Sequence, residues 1–332
     1  MENKKRIQKI KVSLFLIIVG LVVYVFWNQF PPIIKEIKDT DYKTIILISI
    51  MGLMYQFFEG LSIREISKTL GTKISPIKTW GCSLYSAFYR VITFGSATYV
   101  SVLHYLKKQG LSPSKGFSVS TLNYMGQKIA VVLMAIVMYF SNYSFMEEYF
   151  KNYQKYLLFG ILFTTLVVVV LILICISEKF HKLILMIFKL DKKGKFKSIE
   201  EKLKDNLILI RHSTKDLLVD KVLIFKIIFL NILKLSCWYV IPYIIFYNQY
   251  NYSFLDYVSI TALAIALIGV VPAPGAMGST EFIFGLLFAN LMDINKAMSG
   301  VFLYRFANFI IPTIFGGLVA LKMGISSRTV KK

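Results

Sequence analysis

Residues 270–282, VVPAPGAMGSTEF, set two prolines, two glycines and the carboxylate of Glu281 inside an otherwise apolar stretch. Pro272 and Pro274 each remove a backbone donor and fix φ, which disfavours continuous helix. Gly275 and Gly278 allow a tight turn and close helix approach. Ser279 or Thr280 can cap a helix that restarts at about residue 280. Glu281 then falls in the first turn, where the helix dipole favours a carboxylate. A helix N-terminus in apolar surroundings presents free N–H groups to an anion such as a phosphate. The chemistry of this stretch is therefore anion binding.

Two arginines extend that reading. Arg305 lies in a later apolar run, and its guanidinium matches phosphate geometry, or it pairs with Glu281. Arg90 precedes a second break in apolar sequence, Thr93-Phe94-Gly95-Ser96-Ala97, and either contacts phosphate there or snorkels toward the interface. Glu59 is near the end of its run, with Arg64 five residues on, and reads equally as an interfacial residue. Lys128, Lys226 and Lys234 read as near-interface snorkelers. Pro242 and Pro312 are expected to kink their helices. Cys82, Cys175 and Cys237 are scattered, as are His104, His181 and His212, so no disulfide framework, metal site or cofactor is expected. No nucleophile–base arrangement or phosphate-loop motif is present, so no catalytic residue is assigned.

The elements that must hold these residues are membrane spans. The 332-residue chain is 56% hydrophobic, with a mean hydropathy of +0.62. Several runs approach the ~20 residues that cross a bilayer, without the alternation of a β-barrel. Full spans are expected at about 12–27 (an uncleaved signal anchor), 44–63, 117–140, 156–177, 222–247 and 297–321. The net charge of +21 first points to nucleic acid. The basic residues instead fall in blocks between apolar runs, as the positive-inside rule produces. The reading is no nucleic acid, and contact with anionic lipid headgroups at the cytoplasmic face. With both termini cytoplasmic, the inner segments hold 28 Lys and Arg and the outer segments 6. A multi-pass protein of the cytoplasmic membrane follows.

That count closes only if 79–106 and 254–292 each return to the side they came from. Both read as re-entrant helical hairpins, since irregular backbone at membrane depth must be buried in protein or line a cavity. The first opens from the cytoplasm and the second from outside. Residues 44–140 and 222–321 then form two inverted repeat halves, joined by a basic cytoplasmic loop at 178–221 that carries an amphipathic helix pattern. Paired broken helices in inverted repeats are a transporter arrangement, with the site at the repeat interface. The predicted fold class is an all-α polytopic membrane protein, with about six full transmembrane helices plus two re-entrant hairpins, in a single domain over 1–332.

PAPGAMGSTEFIF resembles the Pro-x-Pro-Gly-Gly-x-Gly-x-x-Glu motif of the flippase-like family, the membrane region of lysylphosphatidylglycerol synthase/flippase proteins. SGVFLYRFANFIIPTIFGGL (299–318), with Arg305, resembles the helix that follows that motif. FYRVITFGSATYVSVLHYLKKQGLSPSKG (88–116) resembles the family's first hairpin and its trailing segment. Ala276 stands where the family has its second glycine, and Thr93–Ala97 departs from a proline and two glycines. The resemblance implies a lipid flippase that binds a phospholipid or lipid-linked headgroup through Glu281, Arg305, Arg90, Gly275, Gly278 and Ser279. Pro272, Pro274 and Gly95 would shape the breaks. Two-part members join lysyl transfer from tRNA to a soluble domain after the membrane region; this chain is expected to be a stand-alone member without it. Phosphatidylglycerol lysyltransferase activity, or a scaffold for cell-envelope lipid synthesis, are the alternatives. A homo-oligomer or a separate synthase partner stays open.

Overall fold

Apolar length sets the helices of this protein, and polar caps and prolines set their ends. The computed structural model describes residues 30–188, 204, 207–208, 211, 214, 217–270 and 278–329. An amphipathic helix, α1 (Phe30–Asp39), leads into α2 (Tyr42–Thr69), whose N-terminus Asp41 caps by accepting from the N–H groups of Lys43 and Thr44. Then come α3 (Pro76–Ile92), α4 (Thr98–Lys108) and α5 (Pro113–Ser141). Pro76 and Pro113 sit in the first turns of α3 and α5, where a missing N–H costs nothing. The chain continues through α6 (Tyr143–Phe150), α7 (Gln154–Ile176) and α8 (Glu178–Phe188). After the loop come α9 (Lys221–Tyr239), capped by Asp220, and α10 (Ile241–Phe246). Ser253 and Asp256 form a reciprocal capping box on α11 (Phe254–Ile268). The last elements are α12 (Ser279–Phe288), α13 (Ile294–Arg305), a π turn (Phe306–Ile310) and α14 (Ile311–Thr329).

The protein is an all-α polytopic membrane protein. Among the described residues five stretches are long and apolar enough to cross a membrane: Tyr42–Thr69, Pro113–Ser141, Tyr143–Ile176, Lys221–Phe246 and Ile294–Gly324. These coincide with five of the six expected full spans; the sixth, 12–27, lies outside the described residues. In contrast, α3, α4, α11 and α12 have only 17, 11, 15 and 10 residues, short of the ~20 of a typical crossing. They pack in two antiparallel pairs, α3 with α4 and α11 with α12, at the places where hairpins were expected.

The first hairpin turns on Gly95, whose φ of +90° only glycine adopts without strain. Its N–H reaches back to the carbonyl of Arg90 at 2.7 Å, which closes the C-terminus of α3. Phe94 beside it also has positive φ, +51°.

Two separate apolar cores hold the hairpins. One gathers Cys82, Tyr85, Val102 and Leu106 of the first hairpin with Ile63 and Ile66 late in α2, Val119 early in α5 and Leu223 early in α9. The other gathers Tyr257, Ala262, Phe284 and Phe288 of the second hairpin with Ile48 early in α2, Tyr139 late in α5 and Tyr239 late in α9. The hairpins therefore sit at opposite ends of the bundle. The helix pairings follow the same exchange. α2 packs along α9; α3 leans on α14, and α11 leans on α5. Each hairpin's first helix thus rests on the span that follows the other hairpin.

The expected helix within 178–221 is described only in part. α8 is helical, Leu207 and Leu217 are buried, and Arg211 pairs with Glu178. The remaining positions of that pattern, 199, 203 and 210, lie outside the described residues.

Close approach of α2 to the π turn depends on Gly52. A Cβ there would overlap the carbonyl of Ala307. Gly52→Ala is expected to lower the thermal midpoint in detergent by the equivalent of about 1–3 kcal/mol, the usual cost of overpacking. Gly324→Ala, with nothing within 4 Å, should leave the midpoint unchanged or slightly raised; fluorescence-detected size exclusion after heating compares the two.

Candidate functional site

The second hairpin's break delivers Glu281 to Arg305. α12 begins at Ser279, and its N-cap is Gly278, at φ +76°. This corrects the expected cap: the N-cap position is Gly278, and Ser279 and Thr280 are the first two helical residues. A positive φ at the cap suits glycine better than serine or threonine. Glu281 occupies the first turn, as its place in the sequence requires. Its carboxylate turns to Arg305, accepting from Nε at 2.8 Å on Oε1 and from Nη2 at 3.1 Å on Oε2. Parallel two-point pairing is the strongest form of the guanidinium–carboxylate bond.

Arg305 is only 7% exposed. It ends α13, immediately before the π turn, and lies over the Phe309 ring at 5.4 Å. π turns recur at functional sites. The Ser279 hydroxyl is buried and has no hydrogen-bond partner among the described residues. Pro272, Pro274 and Gly275, the other residues expected to shape this break, lie outside the described residues.

A cavity of about 890 Å³ opens between the two hairpins. Arg90 and Gly95 line it from the first hairpin, Thr280 from the second, and Tyr304, Arg305 and Asn308 from the last span. Glu59 of α2 and Asn123 of α5 complete its polar wall. Leu171 and Ile174 of α7, with Ile265 and Ile268 of α11, make an apolar one. Of the residues singled out in the sequence, Arg90, Arg305 and Gly95 thus meet in one space. Gly278, Ser279 and Glu281 do not line it, although Thr280 and the Arg305 held by Glu281 do.

The geometry adds a second charged pair that sequence reasoning missed. Lys234, in the middle of α9, is 0% exposed, so it does not snorkel. Its ammonium stands 3.4 Å from Oε2 of Glu59 and 5.2 Å from the centroid of the Tyr55 ring. Tyr55 in turn stacks on Trp238 at 3.6 Å. The Asn123 amide donates to Oε1 of Glu59 at 3.4 Å. Glu59 is therefore a cavity residue tied to the facing span. The sequence held one signal for this pair: an acid and a base, each set within an apolar run. Hydropathy does not say which helix faces meet, and the two lie 175 positions apart.

Breaking a buried pair leaves an uncompensated charge, which typically costs about 3–5 kcal/mol, whereas replacing both partners is close to neutral. Lys234→Met alone should markedly lower the thermal midpoint in detergent. The double variant Glu59→Gln with Lys234→Met should recover most of that loss. A double variant no more stable than the single one would show that the pair does not act as a unit.

The family model described as Lysylphosphatidylglycerol synthase TM region matches residues 10–316. No curated protein matches the chain.

Proposed function

This chain belongs to the lysylphosphatidylglycerol synthase TM region family, and from that premise we propose that it binds a phosphate-bearing lipid headgroup and moves it across the cytoplasmic membrane. One observation carries the reading: a single cavity receives a guanidinium from the first hairpin, Arg90, and another from the span after the second hairpin, Arg305. A guanidinium is the side chain best matched to a phosphate. The cavity's apolar wall gives the tail end of an amphiphile a surface to follow.

The exchanged packing supports an inverted repeat over 44–140 and 222–321. α3 rests on α14 as α11 rests on α5, and the hairpins occupy opposite ends of the bundle. In such architectures a fixed central site is exposed alternately by rocking one repeat against the other. The charge distribution supports placing both termini in the cytoplasm. In this reading Glu281 holds the Arg305 guanidinium in the orientation that faces the headgroup, and the helix N-terminus at Ser279 adds a favourable field for the anion.

The test is native mass spectrometry of the protein with its co-purified lipids, for wild type, Glu281→Gln and Arg305→Ala. A retained phospholipid class whose occupancy falls about tenfold or more in Arg305→Ala, and falls in Glu281→Gln, is the expected outcome; a charged hydrogen bond of about 1.5–3 kcal/mol has that reach. Retention unchanged in both variants would remove the headgroup from this cavity and favour a membrane partner for a synthase.

A further inference from the structure

Among the described residues, the charged groups of the cavity wall, taken with their ion-pair partners, leave one cation over, and Lys128 stands behind the wall against Tyr124. The cavity wall carries three ionisable groups with formal charge among the described residues: Glu59, Arg90 and Arg305. Arg305 is matched by Glu281 through two hydrogen bonds. Glu59 is matched by Lys234, which is sealed from solvent. Arg90 is half-buried and has no hydrogen bond or ion pair from its side chain among the described residues. The segment that joins the second hairpin's arms, 271–277 (VPAPGAM), contains no acidic residue that could neutralise it. Among the described residues, Arg90 is therefore the one charge on the cavity wall without a counter-charge, and Lys128 behind the wall adds to the same positive field.

A second observation concerns hydrogen bonding. The side-chain amide of Asn123 gives its N–H to Glu59, and its carbonyl oxygen is buried with no donor among the described residues. A buried acceptor without a donor carries a desolvation cost that a ligand hydroxyl or amine can relieve. An amine on a net-cationic headgroup would bring its charge into the same cavity as Arg90, where both carboxylates already hold cations. A hydroxyl supplies the same donor without the charge.

We infer that the cavity selects lipids whose headgroup carries one net negative charge on a phosphodiester together with hydroxyl donors, and that it discriminates against net-cationic, aminoacylated headgroups. Arg90 takes the phosphodiester, Asn123 takes a hydroxyl, and the wall formed by Leu171, Ile174, Ile265 and Ile268 lies against the glyceride. Exclusion of the cation follows from Coulomb repulsion, which is strong where water is scarce. This assignment rests on the lipid-binding reading above, and it departs from what the family's name would suggest for the cargo.

The experiment compares three tail-labelled lipids in proteoliposomes of otherwise neutral phosphatidylcholine: phosphatidylglycerol, phosphatidylethanolamine and lysyl-phosphatidylglycerol. Wild-type protein should move phosphatidylglycerol about tenfold or more faster than lysyl-phosphatidylglycerol, with the zwitterionic lipid between them. Arg90→Ala should collapse that ratio toward one, Arg90→Glu should invert it, and Arg90→Lys should keep it. Equal rates for the three lipids in wild type, or a ratio that survives Arg90→Glu, would overturn the charge assignment while leaving translocation standing. If wild type moves none of the three, translocation fails, and the charge assignment is decided by native mass spectrometry on the same preparations. Preferential retention of phosphatidylglycerol, lost in Arg90→Glu and kept in Arg90→Lys, upholds it; retention without preference overturns it.

Discussion

A helix that stops inside a membrane leaves N–H and C=O groups with no water to take them, and the rest of this structure answers to that constraint. The arms of both hairpins pack within the bundle. The first solves its own turn locally, with the Gly95 N–H on the Arg90 carbonyl and the Thr93 hydroxyl on the Tyr89 carbonyl at 2.6 Å. Full spans then wrap the short helices: α14 covers α3, and α5 covers α11. Interrupted helices are tolerated at depth only where protein or a cavity surrounds them, and the short helices here have both beside them.

The same scarcity of water governs the charges. A single ion in a low-dielectric interior is costly, and the two buried cations among the described residues, Lys234 and Arg305, each have a carboxylate partner. Glu281 and Arg305 meet through two parallel hydrogen bonds. Glu59 and Lys234 meet across α2 and α9, the two spans that run side by side at the centre, with the Tyr55 ring under the ammonium and Trp238 under the ring. The second pair ties together the spans that precede the two hairpins. It makes the contact between those spans depend on charge as well as apolar packing, in a chain whose cores are otherwise built from Ile, Leu, Phe and Tyr.

Much of the architecture was legible in the sequence because hydropathy reports span length directly. The five described long helices fall where apolar runs predicted them, and the two stretches of unsuitable length became paired short helices. Glu281 and Arg305 were legible because an acid and a base in apolar sequence are each conspicuous. Other features were not legible, for reasons that are physical. Lys234 was expected to snorkel, since a lysine in an apolar run says nothing about the face it lies on. Only the packing of α9 against α2 decides that it points inward to Glu59. Ser279 was expected to help cap α12, but the chain enters that helix through a left-handed Gly278, a conformation that side-chain capping preferences do not report. Asn123 carried no signal at all; its importance comes from a carbonyl that finds no donor among the described residues.

The π turn at Phe306–Ile310 has an effect on angular phase. In a regular helix, Thr313 would stand about 80° around the axis from Arg305, given ~100° per residue. A π turn inserts one extra residue into the helical count, turning the phase back by about 100° and bringing the two positions within ~20° of each other. That is how Arg305, Asn308 and Thr313 all come to face one cavity from a single span. The turn is therefore a phase shifter: it lets the lower part of the span keep its grip on α3 while the upper part keeps Arg305 on Glu281. Losing one residue from the turn would restore a smooth helix and, in doing so, make it impossible for both contacts to be satisfied together.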